Sequence, residues 1–384
     1  MSHDLMIILP ALMIAERWWK LKATKDFFAR EQPPPMEATT ISVIQPILSG
    51  DPTLWDCLER NLRAKSAHKV EFIWLVDDDD FAAHRGCQIV ADRNPEAQVS
   101  IFSCAKGAAN ASPKTVKLMQ GLLVSTGEIY CALDDDTVLK DYSLDEAVAH
   151  LTDPFVGCAF GVPYYTSFAN YWSSLISCFV NGNSILTYVP YTSLIQPFTI
   201  NGMFYVTKRA TLLNVGGLSG IETAICDDYA LAQRFIAHGY KIVQTSVRHP
   251  ISIEVAGRDH FLSIIRRWFI FTRASVMTTG FRELLIFYLV VFVPNFFPLI
   301  LVLWNLFTPD DILLVGTVAY FAYYYYLLYH HQQALFARHH SDRASTDNAP
   351  VPNFPAGAHT LVAGVSRAHP LARACDGHRS GWHF

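Results

Sequence analysis

Short apolar runs alternate with helical patterns over the first third of the chain. Runs with β-branched and aromatic members predict strands at residues 41–47, 70–76, 99–104 and 129–133. Between them, apolar residues recur at helical spacing in residues 54–64, 82–92 and 115–125. Strand and helix in this alternation predict an α/β fold, a doubly wound sheet with right-handed crossovers.

The middle of the chain lacks this alternation. Residues 155–205 are irregular and rich in aromatic side chains, which suits either a bulky core or a groove at the bilayer surface for a lipid or a sugar. Residues 199–206 then predict a further strand. Beyond it, the residues from Cys226 onward predict an amphipathic helix with Asp227 and Asp228 in its first turn.

Two long apolar stretches lie near the C-terminus, at residues 284–307 and 312–329. Each is long enough to cross a bilayer, and the short link between them predicts a tight hairpin. Basic residues lie before the first stretch and after the second, whereas the link is acidic. Because positive charge marks the cytosolic side, we expect an integral membrane protein whose large domain faces the cytosol.

The N-terminal apolar stretch, residues 5–15, is shorter and contains Pro10. A spanning helix needs about 20 residues, so this stretch predicts a truncated anchor, a re-entrant segment or an interfacial helix. Whether it crosses the membrane stays open. The predicted organisation is a membrane-associated segment and linker at 1–36, a cytosolic domain at 37–280, two transmembrane helices at 281–331 and a disordered tail at 332–384.

Composition excludes some classes of protein. Hydrophobic residues make up 51% of the 384 residues and the net charge is -4, which argues against nucleic acid as a partner. The eight cysteines stand singly, with no zinc-like spacing, and predict reduced thiols in a chain facing the cytosol.

Two acidic clusters follow predicted strands. Asp77 to Asp80 come after the second strand, and Asp134, Asp135 and Asp136 come after the fourth. Ligands bind at the carboxyl ends of strands in open α/β sheets. Alternation of side chains would place Asp134 and Asp136 on one side, which suits Mg²⁺ or Mn²⁺ with a phosphate completing the shell. The alternative is a solvated acidic turn.

Two further features carry charge. Asp227 and Asp228 suit either a functional site or ordinary helix capping, since carboxylates favour helix N-termini. Four arginines lie close to Trp268 before the first long apolar stretch, and they suit a basic collar on anionic lipid headgroups, a diphosphate site, or both at once. The arginines are Arg258, Arg266, Arg267 and Arg273. No Gly-x-Gly-x-x-Gly or P-loop pattern supports an ordinary dinucleotide or ATP site.

The ordered set of these motifs resembles the ceramide glucosyltransferase family. The set comprises Asp77 or Asp78, Asp134 with Asp136, Asp228, and Arg267-Trp268 before a membrane hairpin. Smaller matches are Ser112-Pro113-Lys114, Asn201-Gly202-Met203, Gly216-Gly217-Leu218 and His249-Pro250. The chain departs from the family at Ile264, where the family has Gln or Arg, and Arg266 is the substitute cation.

The resemblance implies a GT-A type, Rossmann-like domain that binds a nucleotide sugar, together with a C-terminal transmembrane helical hairpin. It implies inverting transfer of a sugar, glucose by preference, from a UDP-sugar to the hydroxyl of a membrane lipid, ceramide by preference. The implied catalytic base is Asp228. The implied donor site comprises Asp77, Asp78, Lys114, Asp134, Arg266 and Arg267. Trp268 and His249 belong to the implied acceptor site, and Asp134 and Asp136 to a site for Mn²⁺ or Mg²⁺.

Several alternatives remain at this point. The acceptor could be a hopanoid or diacylglycerol, and a polysaccharide synthase is disfavoured because only one hairpin is evident. Asp134-x-Asp136-x-Val138 also fits the nucleophile motif of haloacid-type phosphohydrolases, although that motif normally follows the first strand. A non-catalytic lipid or nucleotide binder is the remaining class. The sugar, the preferred metal and the oligomeric state are left open.

Overall fold

The computed structural model describes residues 3–278, 280–308 and 310–336. Residues 332–336 of the predicted tail belong to a helix, and the rest of that tail lies outside the described residues. Within the described residues, helices and strands follow the order that the apolar pattern predicts up to residue 133.

One seven-stranded sheet organises the large domain. Its order is β3-β2-β1-β4-β6-β5-β7, and only β6 runs antiparallel to its neighbours. The strands are β1 (Thr40–Ile47), β2 (Lys69–Asp77), β3 (Gln98–Cys104), β4 (Ile129–Leu133), β5 (Val156–Tyr165), β6 (Phe204–Lys208) and β7 (Lys241–Ile251).

Helices cover both faces of the sheet and continue beyond it. In the large domain they are α2 (Leu54–Arg63), α3 (Phe81–Arg93), α4 (Pro113–Val124), α5 (Ser143–Ala149), α6 (Tyr171–Asn183), α7 (Val189–Tyr191), α8 (Arg209–Asn214), α9 (Asp227–Ala237) and α10 (Arg258–Thr278). The others are α1 (His3–Phe28), α11 (Phe281–Phe287), α12 (Val293–Phe307) and α13 (Asp311–Phe336). A 3-10 turn at His150–Thr152 and two π-helical turns, Ser184–Tyr188 and Tyr288–Phe292, complete the set.

The core of the first half of the sheet consists of apolar strands that are buried on both faces. β4 is buried along its whole length and lies parallel to β1 between two core clusters. Trp74 in one cluster and Tyr130 in the other are among the largest fully buried side chains. Because β1, β2 and β4 are parallel, their carboxyl ends meet at one edge of the sheet, as the sequence predicts.

The second half differs from the sequence expectation. Residues 155–205, expected to be irregular, begin with β5, whose ten residues are all buried, and continue into α6. A strand buried on both faces shows no polar alternation, and Gly157, Gly161 and Pro163 weaken its strand propensity further. The neighbouring β7, absent from the predicted elements, pairs parallel with β5.

The predicted strand at residues 199–206 is shorter than expected. β6 begins at Phe204, and the preceding Asn201, Gly202 and Met203 form a loop. The reason is hydrogen bonding outside the sheet, because the N–H of Gly202 donates to the carboxylate of Asp228 at 3.1 Å. This shift brings the loop to the end of β4, where Met203 O accepts from Asp134 N at 2.9 Å.

The C-terminal helices form the predicted hairpin. Two helices in the described residues are long and apolar enough to cross a membrane, Leu284–Phe307 and Asp311–His330. They pack through Phe297 and Tyr320, whose ring centroids lie 5.5 Å apart, and Asn305 donates to Thr317 at 2.8 Å. The fold class is therefore confirmed as an α/β domain with a C-terminal helical hairpin.

The N-terminal segment forms a single helix, α1, that continues through Pro10. Leu9, Met13 and Ile14 pack against the hairpin. Lys20 donates to Val290 O at 2.7 Å in the π-helical turn, and Arg17 donates to Pro294 O at 3.1 Å. α1 is not one of the two described helices that are long and apolar enough to cross a membrane. The domain boundaries remain a prediction.

Candidate active site

The carboxylates after β4 lie on a loop that begins where the strand ends. Thr137 N donates to Asp134 O at 3.1 Å, which turns the chain away from the sheet direction. The side chain of the buried Asn61 in α2 then holds this loop at two points. Its amide nitrogen donates to Thr137 O at 2.9 Å, and its amide oxygen accepts from Leu139 N at 2.7 Å. Asn61 therefore fixes the backbone beside the aspartates.

The end of β7 holds the same loop from the other side. Val138 N donates to Pro250 O at 2.9 Å, and Ser252 N donates to Asp136 O at 2.9 Å. Thr137 and Ile251 also form an antiparallel bridge. The aspartate loop is thus anchored both to α2 and to β7.

The three carboxylates have different partners. Asp134 pairs with Lys114, with 2.6 Å between Oδ1 and Nζ. Asp135 turns the other way and accepts from Leu48 N at 2.9 Å. The carboxylate of Asp136 accepts only from the neighbouring Thr137 hydroxyl, at 3.2 Å, among the contacts of the described residues. Of the three, Asp136 has the least compensation for its charge.

Lys114, at the start of α4, connects the aspartate loop to the Gly202 loop. Its ammonium donates to Gly202 O at 3.1 Å in addition to its ion pair with Asp134. Burial lowers the pKa of Lys114, but attraction to Asp134, Asp228 and Asp227 outweighs this effect and raises the pKa above its ordinary value. A permanently charged ammonium therefore lies among three carboxylates.

Asp228 lies in the first turn of α9 against the backbone of Gly202. A Cβ atom at Gly202 would lie 1.8 Å from Asp228 Oδ1, so only glycine fits this contact. Burial, followed by repulsion from Asp227, raises the pKa of Asp228 to about 7, although Lys114 acts against the shift. A carboxylate with such a pKa can exchange a proton near neutral pH.

Asp227 has a different environment from Asp228. Its carboxylate accepts from the Thr115 hydroxyl at 2.9 Å, which ties the start of α9 to the start of α4. A cavity of about 10 Å³, room for one water molecule, lies between these helices and the Gly202 loop. Its lining includes Lys114, Thr115, Gly202, Asp227 and Asp228.

The acidic cluster after β2 is balanced within the protein. Asp77 pairs with the buried Lys117 at 2.9 Å, and Lys117 also donates to Ile47 O at 2.8 Å. Asp79 pairs with Lys106 at the surface. Asp80 caps α3 by accepting from Ala83 N.

Asp78 is the exception in this cluster. It is exposed, and no hydrogen bond or ion pair engages its carboxylate among the described residues. Of the two residues predicted to meet the nucleoside, Asp78 therefore has the free carboxylate and Asp77 is already paired.

The predicted basic and acceptor residues are distributed over two faces of α10. Burial and the charge of Asp136 raise the pKa of Tyr165, and the positive charge of Arg267 opposes this rise. Trp268 stacks on Phe179 with ring centroids 5.8 Å apart. Arg266 is exposed on another side of the helix. Arg267 is exposed as well, and it is the arginine whose charge reaches Tyr165.

His249, predicted for the acceptor site, is buried in β7. Its ring lies 5.5 Å from the ring of Phe204, and neither ring nitrogen has a hydrogen-bond partner among the described residues. Burial lowers the pKa of His249 to about 3, so the imidazole is neutral. Its role in the acceptor site stays a prediction.

The carboxylates fit a divalent cation that shares its shell with a substrate. No group of three or more His, Cys, Asp or Glu side chains suited to a metal exists in the described residues. Mg²⁺ and Mn²⁺ sites in phosphate-handling enzymes commonly need only one or two carboxylates, with phosphate and water completing the shell. Burial and repulsion from Asp134 and Asp135 raise the pKa of Asp136 well above its ordinary value. A bound cation would relieve this repulsion.

Three side chains at the site are absent from the predicted set, namely Asn61, Thr115 and Tyr165. The sequence gives only a weak indication of a role for Asn61, namely that an amide side chain occupies a position on the buried face of an amphipathic helix. Thr115 is a common helix residue, and Tyr165 belongs to the stretch expected to be irregular. Their roles depend on contacts between residues that are distant in sequence, which no local pattern reveals.

Comparison with known proteins places this geometry in context. The sequence model of glycosyl transferase family 21 matches residues 4–338. The mannosyltransferase PcManGT from Pyrobaculum calidifontis, solved with GDP-Man and Mn²⁺, is similar in fold with a TM-score of 0.54 and 18% identity, over 86% of this chain and 96% of that one. GalNAc-T7, solved with UDP, GalNAc and Mn²⁺, is only weakly similar. Its TM-score is 0.45 and its identity 11%, over 60% of this chain and 48% of that one.

Proposed function

We propose a lipid glycosylation reaction for this chain, which belongs to glycosyl transferase family 21. The donor is a UDP-sugar, with glucose as the first choice of sugar, and the acceptor is the primary hydroxyl of a membrane lipid, with ceramide as the first choice. The family and the fold support sugar transfer. The candidate spanning hairpin supports an acceptor that is presented by a bilayer.

The observation that carries this proposal is the position of Asp228. Its carboxylate is buried against Gly202, beside Lys114 and within reach of the charge of Asp134, and its pKa is raised to about 7. In the proposed reaction Asp228 accepts the proton of the lipid hydroxyl while the hydroxyl oxygen bonds to the anomeric carbon. The bond from that carbon to the diphosphate breaks on the opposite face, so the configuration inverts.

Other side chains are assigned by charge and position. Asp78 binds the nucleoside with Asp77 behind it, and Lys114 and Arg267 face the diphosphate. Arg266 is the weaker assignment, because it lies on another side of α10. Trp268 and His249 remain assigned to the acceptor side.

Asp134 and Asp136 would hold a divalent cation. The Mn²⁺ bound to the similar mannosyltransferase supports the use of such a cation. When bound, such a cation neutralises the diphosphate and makes it a better leaving group. The residues of this chain orient the donor around it. The large domain is assigned to the cytosolic side, as the distribution of basic residues predicts.

The test is a donor-by-acceptor assay on the detergent-solubilised chain. Several UDP-sugars are paired with ceramide, diacylglycerol and a hopanoid polyol, with EDTA and Asp228→Asn as controls. We expect metal-dependent glucosylceramide formation that Asp228→Asn abolishes while UDP binding is retained. Release of UDP with a different lipid product would correct the acceptor. Failure to bind or turn over any nucleotide sugar would overturn the proposal.

A further inference from the structure

α10 carries an exposed stripe in which arginines alternate with large apolar residues. With 3.6 residues per turn, five positions fall within about 80° of the helix circumference. They are Arg258, Leu262, Arg266, Phe269 and Arg273. All five side chains are exposed, and Phe269 is 61% exposed despite its size.

The opposite side of the same helix is packed. Ile264 is buried and Trp268 is partly buried in a core cluster with α6 and β7. These two positions and Arg267 lie more than about 100° from the centre of the stripe. The stripe is therefore a separate surface from the side that faces the candidate active site.

The arginines of the stripe have no acidic partner within the part of the chain that the structure describes. No ion pair among the described residues includes Arg258, Arg266 or Arg273. The only acidic residue of α10 is Asp259, in its first turn, where it favours the helix N-terminus. Exposed apolar side chains between unpaired cations are typical of a helix that lies in a membrane interface.

The position of α10 in the chain identifies the partner. It ends at Thr278, and the first candidate spanning helix begins at Leu284. Even fully extended, six residues reach only about 20 Å. If the hairpin crosses a bilayer, the end of α10 must therefore lie close to the bilayer surface.

We propose that the stripe of α10 docks on the headgroups of anionic phospholipids at the bilayer surface. The arginines bind the phosphates, and Leu262 and Phe269 insert between the headgroups. This inference rests on the proposed membrane location of the hairpin and goes beyond the proposed sugar transfer. It assigns Arg266 to the lipid surface and leaves Arg267 for the donor.

The test uses the full chain in nanodiscs of phosphatidylcholine, with and without phosphatidylglycerol. Hydrogen–deuterium exchange is measured on the backbone amides of α10. We expect phosphatidylglycerol to slow exchange there, and high salt to remove the effect. Each basic residue near an anionic surface changes affinity about fivefold, so Arg258→Gln with Arg273→Gln should lose most of the protection.

A matched variant controls for total charge. Arg85→Gln with Arg93→Gln removes two exposed arginines from α3, at the β3 edge of the sheet, and should leave the protection of α10 unchanged. Equal exchange in both kinds of nanodisc would overturn the docking proposal, and so would equal loss in the control variant. Failure of the chain to enter nanodiscs would instead overturn the membrane location. Protection without sugar transfer would overturn the reaction and leave the docking.

Discussion

Two clusters of carboxylates lie at the same edge of the sheet and differ in how their charge is balanced. After β2, Asp77 pairs with Lys117 and Asp79 with Lys106. Burial raises the pKa of Asp80, but hydrogen bonds from its neighbours outweigh burial and lower the pKa below its ordinary value. Three of its four carboxylates therefore have partners within the protein, and the fourth, Asp78, is exposed to solvent.

The second cluster, after β4 and at the start of α9, has too little positive charge. Lys114 is the ammonium that faces Asp134, Asp227 and Asp228. The pKa values of Asp136 and Asp228 are raised in spite of it. The difference teaches that a row of aspartates is not itself a metal site. The candidate cation site is the cluster whose negative charge the fold leaves uncompensated.

The largest effect is expected from removing two carboxylates of the uncompensated cluster. Asp134→Asn with Asp136→Asn removes the proposed cation ligands, and metal-assisted charge stabilisation of several kcal/mol corresponds to a loss of about 1,000-fold or more in kcat/KM. Asp79→Asn, which removes an exposed ion pair of the balanced cluster, should change kcat/KM by less than about twofold. Steady-state assays with a titration of Mn²⁺ measure both. Similar losses in the two variants would contradict the distinction.

The second prediction concerns the ammonium of each cluster. Lys114→Met leaves three carboxylates without their cation, and we expect kcat/KM to fall about 100-fold, the scale of losing one charge-stabilising group. Lys114→Arg should restore part of the activity. Lys106→Met at the surface is the matched control and should leave activity nearly unchanged. A Lys114→Met enzyme with normal UDP-sugar affinity and rate would remove Lys114 from the donor site.

Sequence patterns predict the parallel half of this molecule well. β1 to β4 and the helices between them follow from apolar runs and helical spacing, because each element buries its own periodic face. The edge where Asp77 and Asp134 meet follows from strand direction alone.

The other half depends on contacts that are distant in sequence. β5 has no polar alternation because both its faces are covered, and β7 is defined by pairing with β5 across 80 residues or more. The start of β6 is set by the bond between Gly202 and Asp228. The balance of charge in each cluster depends on which lysines the fold brings near, and sequence order does not contain that information.

The third prediction concerns one of those long-range contacts. Asn61→Leu removes both hydrogen bonds that hold the backbone at Thr137 and Leu139. Residues that orient metal ligands from behind typically contribute 10-fold or more to affinity, so we expect the Mn²⁺ concentration at half-maximal rate to rise about tenfold, with a smaller change in kcat. Asn94→Leu is the matched control, since Asn94 is a buried amide after α3 that donates to Val90 O and accepts from Arg63 of α2. Asn61 would have a purely structural role if Asn61→Leu loses folding, Asn94→Leu does not, and the metal dependence of the remaining activity is unchanged.

The smallest expected effect is the pH dependence of Asp228. Its pKa is raised to about 7, and the ionised form is the proposed base, so kcat/KM should fall about fourfold from about pH 8 to about pH 6.5. The pKa of Asp228 is higher in the folded state than its unfolded value of 3.8. The native state therefore becomes less stable as pH rises from about 4 to about 7. Asp228→Asn should therefore raise the melting temperature above about pH 7 and leave it unchanged near about pH 4. If the rate does not change with pH and the melting temperature is unchanged in Asp228→Asn, the charge of Asp228 is compensated like the charges after β2. The contrast between the two clusters would then rest on Asp134 and Asp136 alone.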